Sequence, residues 1–213
     1  MVQPIIWAVV LTITILIARR CSESARHATL GLLIGWRRAM QGAAIGLVCA
    51  SPMLALGLLA PRREITHEII YGTLVAGLSE EILFRGFAFG FLIQLACWRV
   101  WPAAILTGVV FGALHIDWGS SITPQLGWVS FIGLGGVLYA WIHARSGWNL
   151  WIPIALHTAM NLWWAYFDLN ATPLGPAGAT IARVLCVTLV IVIVLRHTRD
   201  RTTPRRVPST LAP

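Results

Sequence analysis

Charge is scarce in this sequence. Asp, Glu, Lys and Arg make up 11% of its 213 residues, and lysine is absent, all sixteen basic residues being arginine; soluble domains carry about 25% charged residues. So little charge, beside 57% hydrophobic residues and 11 tryptophans, excludes an ordinary soluble globule and points to an integral membrane protein. Cysteine is sparse as well. Cys21, Cys49, Cys97 and Cys186 are scattered with no C-x-x-C pair, so neither a zinc site nor a disulfide framework is indicated. No basic n-region or small-residue cleavage site precedes Arg19-Arg20, so the first apolar run reads as a retained span rather than a cleaved signal peptide. A G-x-S-x-G elbow and an H-E-x-x-H helix are both missing, which argues against serine hydrolysis and a local zinc-protease motif.

What is present is apolar sequence in long runs. Stretches near residues 5–18, 40–60, 69–96, 102–115, 126–144, 148–167 and 177–195 predict about seven membrane helices, judged against the roughly 20 residues needed to cross a bilayer. The fold class expected is all-α, a polytopic transmembrane helix bundle with a polar cavity inside the membrane. Residues 1–197 form one membrane domain with a motif core near 74–164, and 198–213, rich in Arg, Pro and Thr, read as a flexible basic tail. The net charge of +8 could suggest nucleic acid. Most arginines fall between spans or in the segment from Arg196 to Arg206, however, where they serve topology and lipid headgroups. The lipid bilayer is therefore the expected partner, and nucleic acid is not. The arginine distribution favours an outside N-terminus, with Arg62 and Arg63 against the trend. Glycines recur at four-residue spacing in Gly31/Gly35, Gly42/Gly46, Gly86/Gly90 and Gly108/Gly112, which would let helices approach closely. Trp98, Trp101, Trp118, Trp148 and Trp151 fall near span ends, as interfacial aromatics do.

Against that background, Glu80-Glu81-Ile82-Leu83-Phe84-Arg85 stands out. A charge at the centre of a membrane helix costs about 2.5–3.5 kcal/mol on insertion scales, and such residues face a protein interior or a wet cavity. Glu81 and Arg85, four apart, lie on one helix face in the order that favours pairing. Glu80, rotated about 100° around the helix, is left without a local partner, the situation of a general base. The next span sets Phe111 and His115 one turn apart, and a later one sets His157 and Asn161 four apart, so that both project into one cavity. An imidazole and an amide together can stabilise an oxyanion. These groups suffice for peptide hydrolysis by a carboxylate-activated water. They also admit a distributed metal site of Glu80, Glu81, His115 and His157, or a proton relay in a transporter. The transporter reading calls for an internal repeat, and none is clear. A non-catalytic peptide-binding membrane protein is a third alternative.

Glu80-Glu81-x-x-x-Arg85, Phe111-x-x-x-His115 and His157-x-x-x-Asn161, in that order on three apolar helices, resemble the three motifs of the CPBP family. These are the CAAX proteases and bacteriocin-processing enzymes, also called the ABI family. The resemblance covers roughly residues 74–164 and includes the lead-in Ser146-Gly147-Trp148-Asn149-Leu150-Trp151-Ile152-Pro153-Ile154. It implies a glutamic intramembrane endopeptidase, without metal or cofactor, that cuts a membrane-associated protein or peptide in a bacterial cytoplasmic membrane. Carried over, Glu80 would activate water, Glu81 and Arg85 would shape and neutralise the site, His115 would position water or substrate, and His157 and Asn161 would stabilise the oxyanion. Phe84 and Phe111 are candidates for the cavity lining.

Overall fold

The structure, a computed structural model, describes residues 31–202 apart from 33, 95 and 173. The apolar run at 5–18 and the Arg19-Arg20 pair lie outside the described residues. Among the described residues, seven helical segments make up the fold. α1 is Trp36–Cys49 and α2 is Ser51–Gly57, together a helix bent by 45°. The bend coincides with Pro52 in the first turn of α2, where the ring supplies no backbone N–H to the preceding turn. α3 is one helical run over residues 67–94. Its α-helical pieces His67–Ile70, Ala76–Glu81 and Gly90–Gln94 are joined by wider π-helical turns at Tyr71–Val75 and Ile82–Phe89. The hydroxyl of Thr66 caps its start by accepting from the Ile69 amide. α4 is Val100–Ala113, α5 is Leu126–Arg145, α6 is Trp151–Tyr166 and α7 is Gly175–Thr202.

Six of the seven expected apolar runs thus form helices, and the bundle is that of an integral membrane protein. By length and composition, Thr123–Arg145 and Gly175–Arg196 can each cross a bilayer, and the bent pair α1–α2 makes a third span if taken as one. The others are short, as α4 is, or interrupted by charge, as α3 is. α7 continues to Thr202, into the segment expected to be tail; residues 203–213 lie outside the described residues.

Two pairings organise the bundle, α4 with α5 and α1 with α6. Both are built on glycine. A methyl group on Gly108 would stand 2.7 Å from the Gly133 carbonyl oxygen, and one on Gly112 would stand 2.7 Å from that of Val129. On the other pairing, a methyl on Gly46 would meet the Ile152 carbonyl oxygen at 2.6 Å. With lipid offering no hydrophobic drive between helices, close backbone approach of this kind is what holds spans together. Gly31 and Gly35 serve differently: both have positive φ and precede α1, in backbone that residues with a side chain seldom adopt. The main apolar core joins Met53 of α2, Ile142 of α5, Leu156 of α6 and Cys186 and Val190 of α7. Outward apolar side chains such as Val109, Leu134 and Ile181 remain exposed, as lipid-facing residues would.

The α5–α6 connection is tied down locally. Asn149 accepts from the Trp151 amide and donates to the Arg38 carbonyl, so one buried side chain fixes the start of α6 against α1. Of the tryptophans expected at the interface, Trp98, Trp101 and Trp118 are exposed. Trp148 instead packs on Phe89 and His143, and the Trp151 indole donates to the Leu32 carbonyl.

Candidate active site

The π-helical stretch begins one residue after Glu81, so the acidic pair sits where the helix changes pitch. π-turns inside α-helices recur at functional sites because they re-aim side chains without breaking the helix. Glu81 is fully buried, Arg85 nearly so, and the Arg85 Nη1 stands 2.9 Å from Glu81 Oε1. The guanidinium is stacked 4.5 Å above the Phe111 ring and 5.4 Å from that of Tyr139, so it is held by one carboxylate and two aromatic faces.

The same Glu81 Oε1 lies 2.7 Å from Nδ1 of His157, on α6. A carboxylate that faces a guanidinium is ionised and only accepts, so Nδ1 carries the proton and donates. His157 Nε2 then points the other way, 3.9 Å from Glu80 Oε2. The Phe111 carbonyl, also an acceptor only, fixes His115 in the same tautomer, with Nδ1 donating to it at 2.8 Å. In the neutral form of His115 this leaves Nε2 as an acceptor.

A cavity of about 370 Å³ brings together Glu80, Arg85, Phe111, His115, His157 and Asn161. The side chains that the sequence singles out thus meet in one chamber from three helices, α3, α6 and the α4 end, with two departures. Glu81 lies behind the wall rather than on it, supporting Arg85 and His157. Phe84 faces the other way. It lines an apolar groove of about 440 Å³ between α3 and α4, and meets Phe111 of the cavity wall edge-on, at 4.9 Å between ring centres. Ser79 spends its hydroxyl on the Val75 carbonyl of its own helix, at 2.7 Å. Among the described residues no group of three or more His, Cys, Asp and Glu is arranged to hold a metal ion.

Sequence reasoning missed part of the wall. Tyr139 of α5, Trp164 of α6 and Arg183 of α7 also line the cavity. Tyr139 was hidden in an unbroken apolar run. Arg183 carried a legible signal, a lone cation inside the 177–195 span, of the same kind that marked Glu80.

Residues 62–163, which contain all three motifs, match the family described as Type II CAAX prenyl endopeptidase Rce1-like. A protein of Escherichia coli named "Uncharacterized 24.3 kDa protein" is 31% identical over 84 residues, covering 39% of this chain and 36% of the relative. The protein of Bacillus subtilis (strain 168) named "Putative membrane peptidase YdiL" is 30% identical over 93 residues, covering 44% of this chain and 34% of the relative. The match thus spans about a third of each relative's length. No solved structure matches the chain. Residues 62–163, just under half of the chain, thus resemble the Rce1-like, CAAX-type membrane protease family, the likeness that its three ordered motifs led us to expect.

Proposed function

We propose that this chain is an intramembrane endopeptidase that hydrolyses a peptide bond of a membrane-associated protein or peptide with a water activated by Glu80. The observation that carries the reading is the convergence of Glu80, His115, His157 and Asn161 on one cavity inside an apolar bundle. Glu80 takes a proton from water, and the water oxygen adds to the peptide carbonyl carbon. His115 Nε2 accepts the second water hydrogen and so orients the attack. As the tetrahedral intermediate collapses, the C–N bond breaks and protonated Glu80 returns its proton to the leaving nitrogen.

The tautomer of His157 divides the labour on the oxyanion. With Nδ1 donating to Glu81, His157 presents an Nε2–H only as an imidazolium. The Asn161 amide donates in either state, so it is the constant oxyanion donor and His157 the conditional one. Glu81 acts through others: it orients His157 and neutralises Arg85. The relatives' organisms, Escherichia coli and Bacillus subtilis, support a bacterial cytoplasmic membrane as the location.

The test is a comparison of membrane peptides from cells that express the wild-type chain or Glu80→Gln. The reading expects at least one protein whose new terminus appears only with the wild type. Identical termini in both would count against it.

A further inference from the structure

Arg183 lies within Gly175–Arg196, the more apolar of the two single helices able to cross a bilayer among the described residues, and is only partly buried. Ionisable residues in such spans turn to a bundle interior or wet cavity and pair there. Arg183 does turn to the cavity that holds Glu80 and His157, but what it finds is aromatic. Its guanidinium sits 3.8 Å above the Trp164 ring and 5.9 Å from Phe131. Among the described residues the arginine ion pairs are Arg63 with Asp168 and Arg85 with Glu81; Arg183 belongs to neither. The contrast with Arg85 is direct. Both cations lie over aromatic rings and line the chamber, but Arg85 faces the Glu81 carboxylate, whereas Arg183 has no carboxylate partner among the described residues. A guanidinium resting over an aromatic ring still has a planar fork of donors suited to two-pronged contact with a carboxylate.

We propose that Arg183 is the specificity residue of this site and takes a carboxylate of the bound peptide. The occupant's being a peptide rests on the protease reading above. Arg183 comes from α7, beyond residues 62–163 that match the family, so the assignment adds a wall that the matched region does not supply. It also gives the cavity a direction. Glu80 repels an anion and Arg183 attracts one, so a peptide enters with its carboxylate on the α7 side and its scissile carbonyl toward Glu80 and Asn161. At about 370 Å³ the chamber is at the small end of ligand sites, about 300–1,000 Å³, and suits a short extended segment. The carboxylate is either a chain terminus or an Asp or Glu side chain, and the two are separable.

The probes are short dye-labelled peptides of Ala and Leu in neutral detergent, ending in a free carboxylate or an amide, with amide-ended versions carrying one Glu or one Gln. Affinity is measured on Glu80→Gln protein, so that turnover does not consume the probe. One charged peptide binds at least about ten-fold tighter than its neutral twin, the scale of a charge-assisted contact. Preference for the free terminus or for the Glu peptide identifies the source of the carboxylate. Adding Arg183→Gln brings that ratio to within about two-fold, and Arg183→Lys retains part of it. Should Arg183→Gln fail to fold, the ratio on the Arg183 protein and on Arg183→Lys decides. Equal binding of the charged and neutral twins overturns the proposal. So does a ratio that survives Arg183→Gln, or one abolished by a low fraction of phosphatidylglycerol, which would assign Arg183 to a lipid headgroup. Charge preference without any cleavage by the wild type would sink the protease reading and leave Arg183 as an anion site; cleavage without charge preference would do the reverse.

Discussion

His157 is hydrogen-bonded to Glu81, at 2.7 Å, and not to Glu80, from which its other ring nitrogen stands 3.9 Å away. The two adjacent glutamates therefore do different things. Glu81 is spent on holding Arg85 and His157, and Glu80 keeps its carboxylate for the cavity.

That division makes Glu81 a positioning residue with a structural cost attached. Glu81→Gln removes the charge facing Arg85 and replaces the acceptor-only carboxylate beside His157 Nδ1 with an amide that can also donate. Breaking one side of a buried pair costs about 3–5 kcal/mol, so the thermal midpoint in detergent falls. Cleavage falls by about 100-fold or more, the low end for loss of acid–base organisation. Unchanged stability and rate together would show that the pair is incidental.

The α4–α5 contact gives a prediction that is purely about packing. Gly108→Ala places a methyl group 2.7 Å from the Gly133 carbonyl oxygen, and overpacking of this kind costs about 1–3 kcal/mol. Gly127→Ala, where nothing lies within 4 Å, is neutral or gains up to about 1 kcal/mol from helix propensity. Thermal unfolding of the two variants side by side checks both signs.

Asn149 is expected to matter without touching substrate. Asn149→Ala strips the start of α6 of its side-chain acceptor and the Arg38 carbonyl of its donor, a loss of about 1–2 kcal/mol. Hydrogen exchange at Trp151 and its neighbours should rise first, because the acceptor of the Trp151 amide is lost there.

Asp117, in the loop between α4 and α5, is held below the usual carboxylate range by the Ser120 hydroxyl and the Gly119 amide. A depressed folded value means that these contacts are intact above the ordinary carboxylate range and are lost as pH falls through the lowered one. Ser120→Ala should raise the midpoint of Asp117, read by carboxyl NMR. The group is fully exposed, so global stability should not follow.

Much of this site was legible in the sequence, because charge in an apolar run is its own signal and i,i+4 spacing fixes which side chains share a helix face. Glu81 with Arg85, and His157 with Asn161, followed from that spacing. What spacing could not supply was geometry between helices. The His157–Glu81 bond depends on how α6 lies against α3, and the sequence reading paired Glu81 with Arg85 alone. Phe84 lines the groove between α3 and α4, while Arg85, beside it in the π-helical stretch Ile82–Phe89, keeps its i,i+4 pairing with Glu81; spacing alone did not separate the two. Gly31/Gly35 mimicked a helix-packing motif by spacing, yet both adopt left-handed backbone outside any helix. Of the fold, the apolar runs located the helices, while the 45° bend at Pro52 and the α4–α5 and α1–α6 pairings required the structure.

The central claim is that Glu80 activates the water. It is tested most directly by purifying the wild type and Glu80→Gln in detergent and following turnover of a substrate identified from the membrane-peptide comparison, with thermal unfolding measured on the same samples. The account predicts at least about 1,000-fold slower cleavage by Glu80→Gln, within the range for loss of a general base, with an unfolding midpoint close to wild type. A folded Glu80→Gln protein that cleaves within a few-fold of the wild-type rate would contradict it.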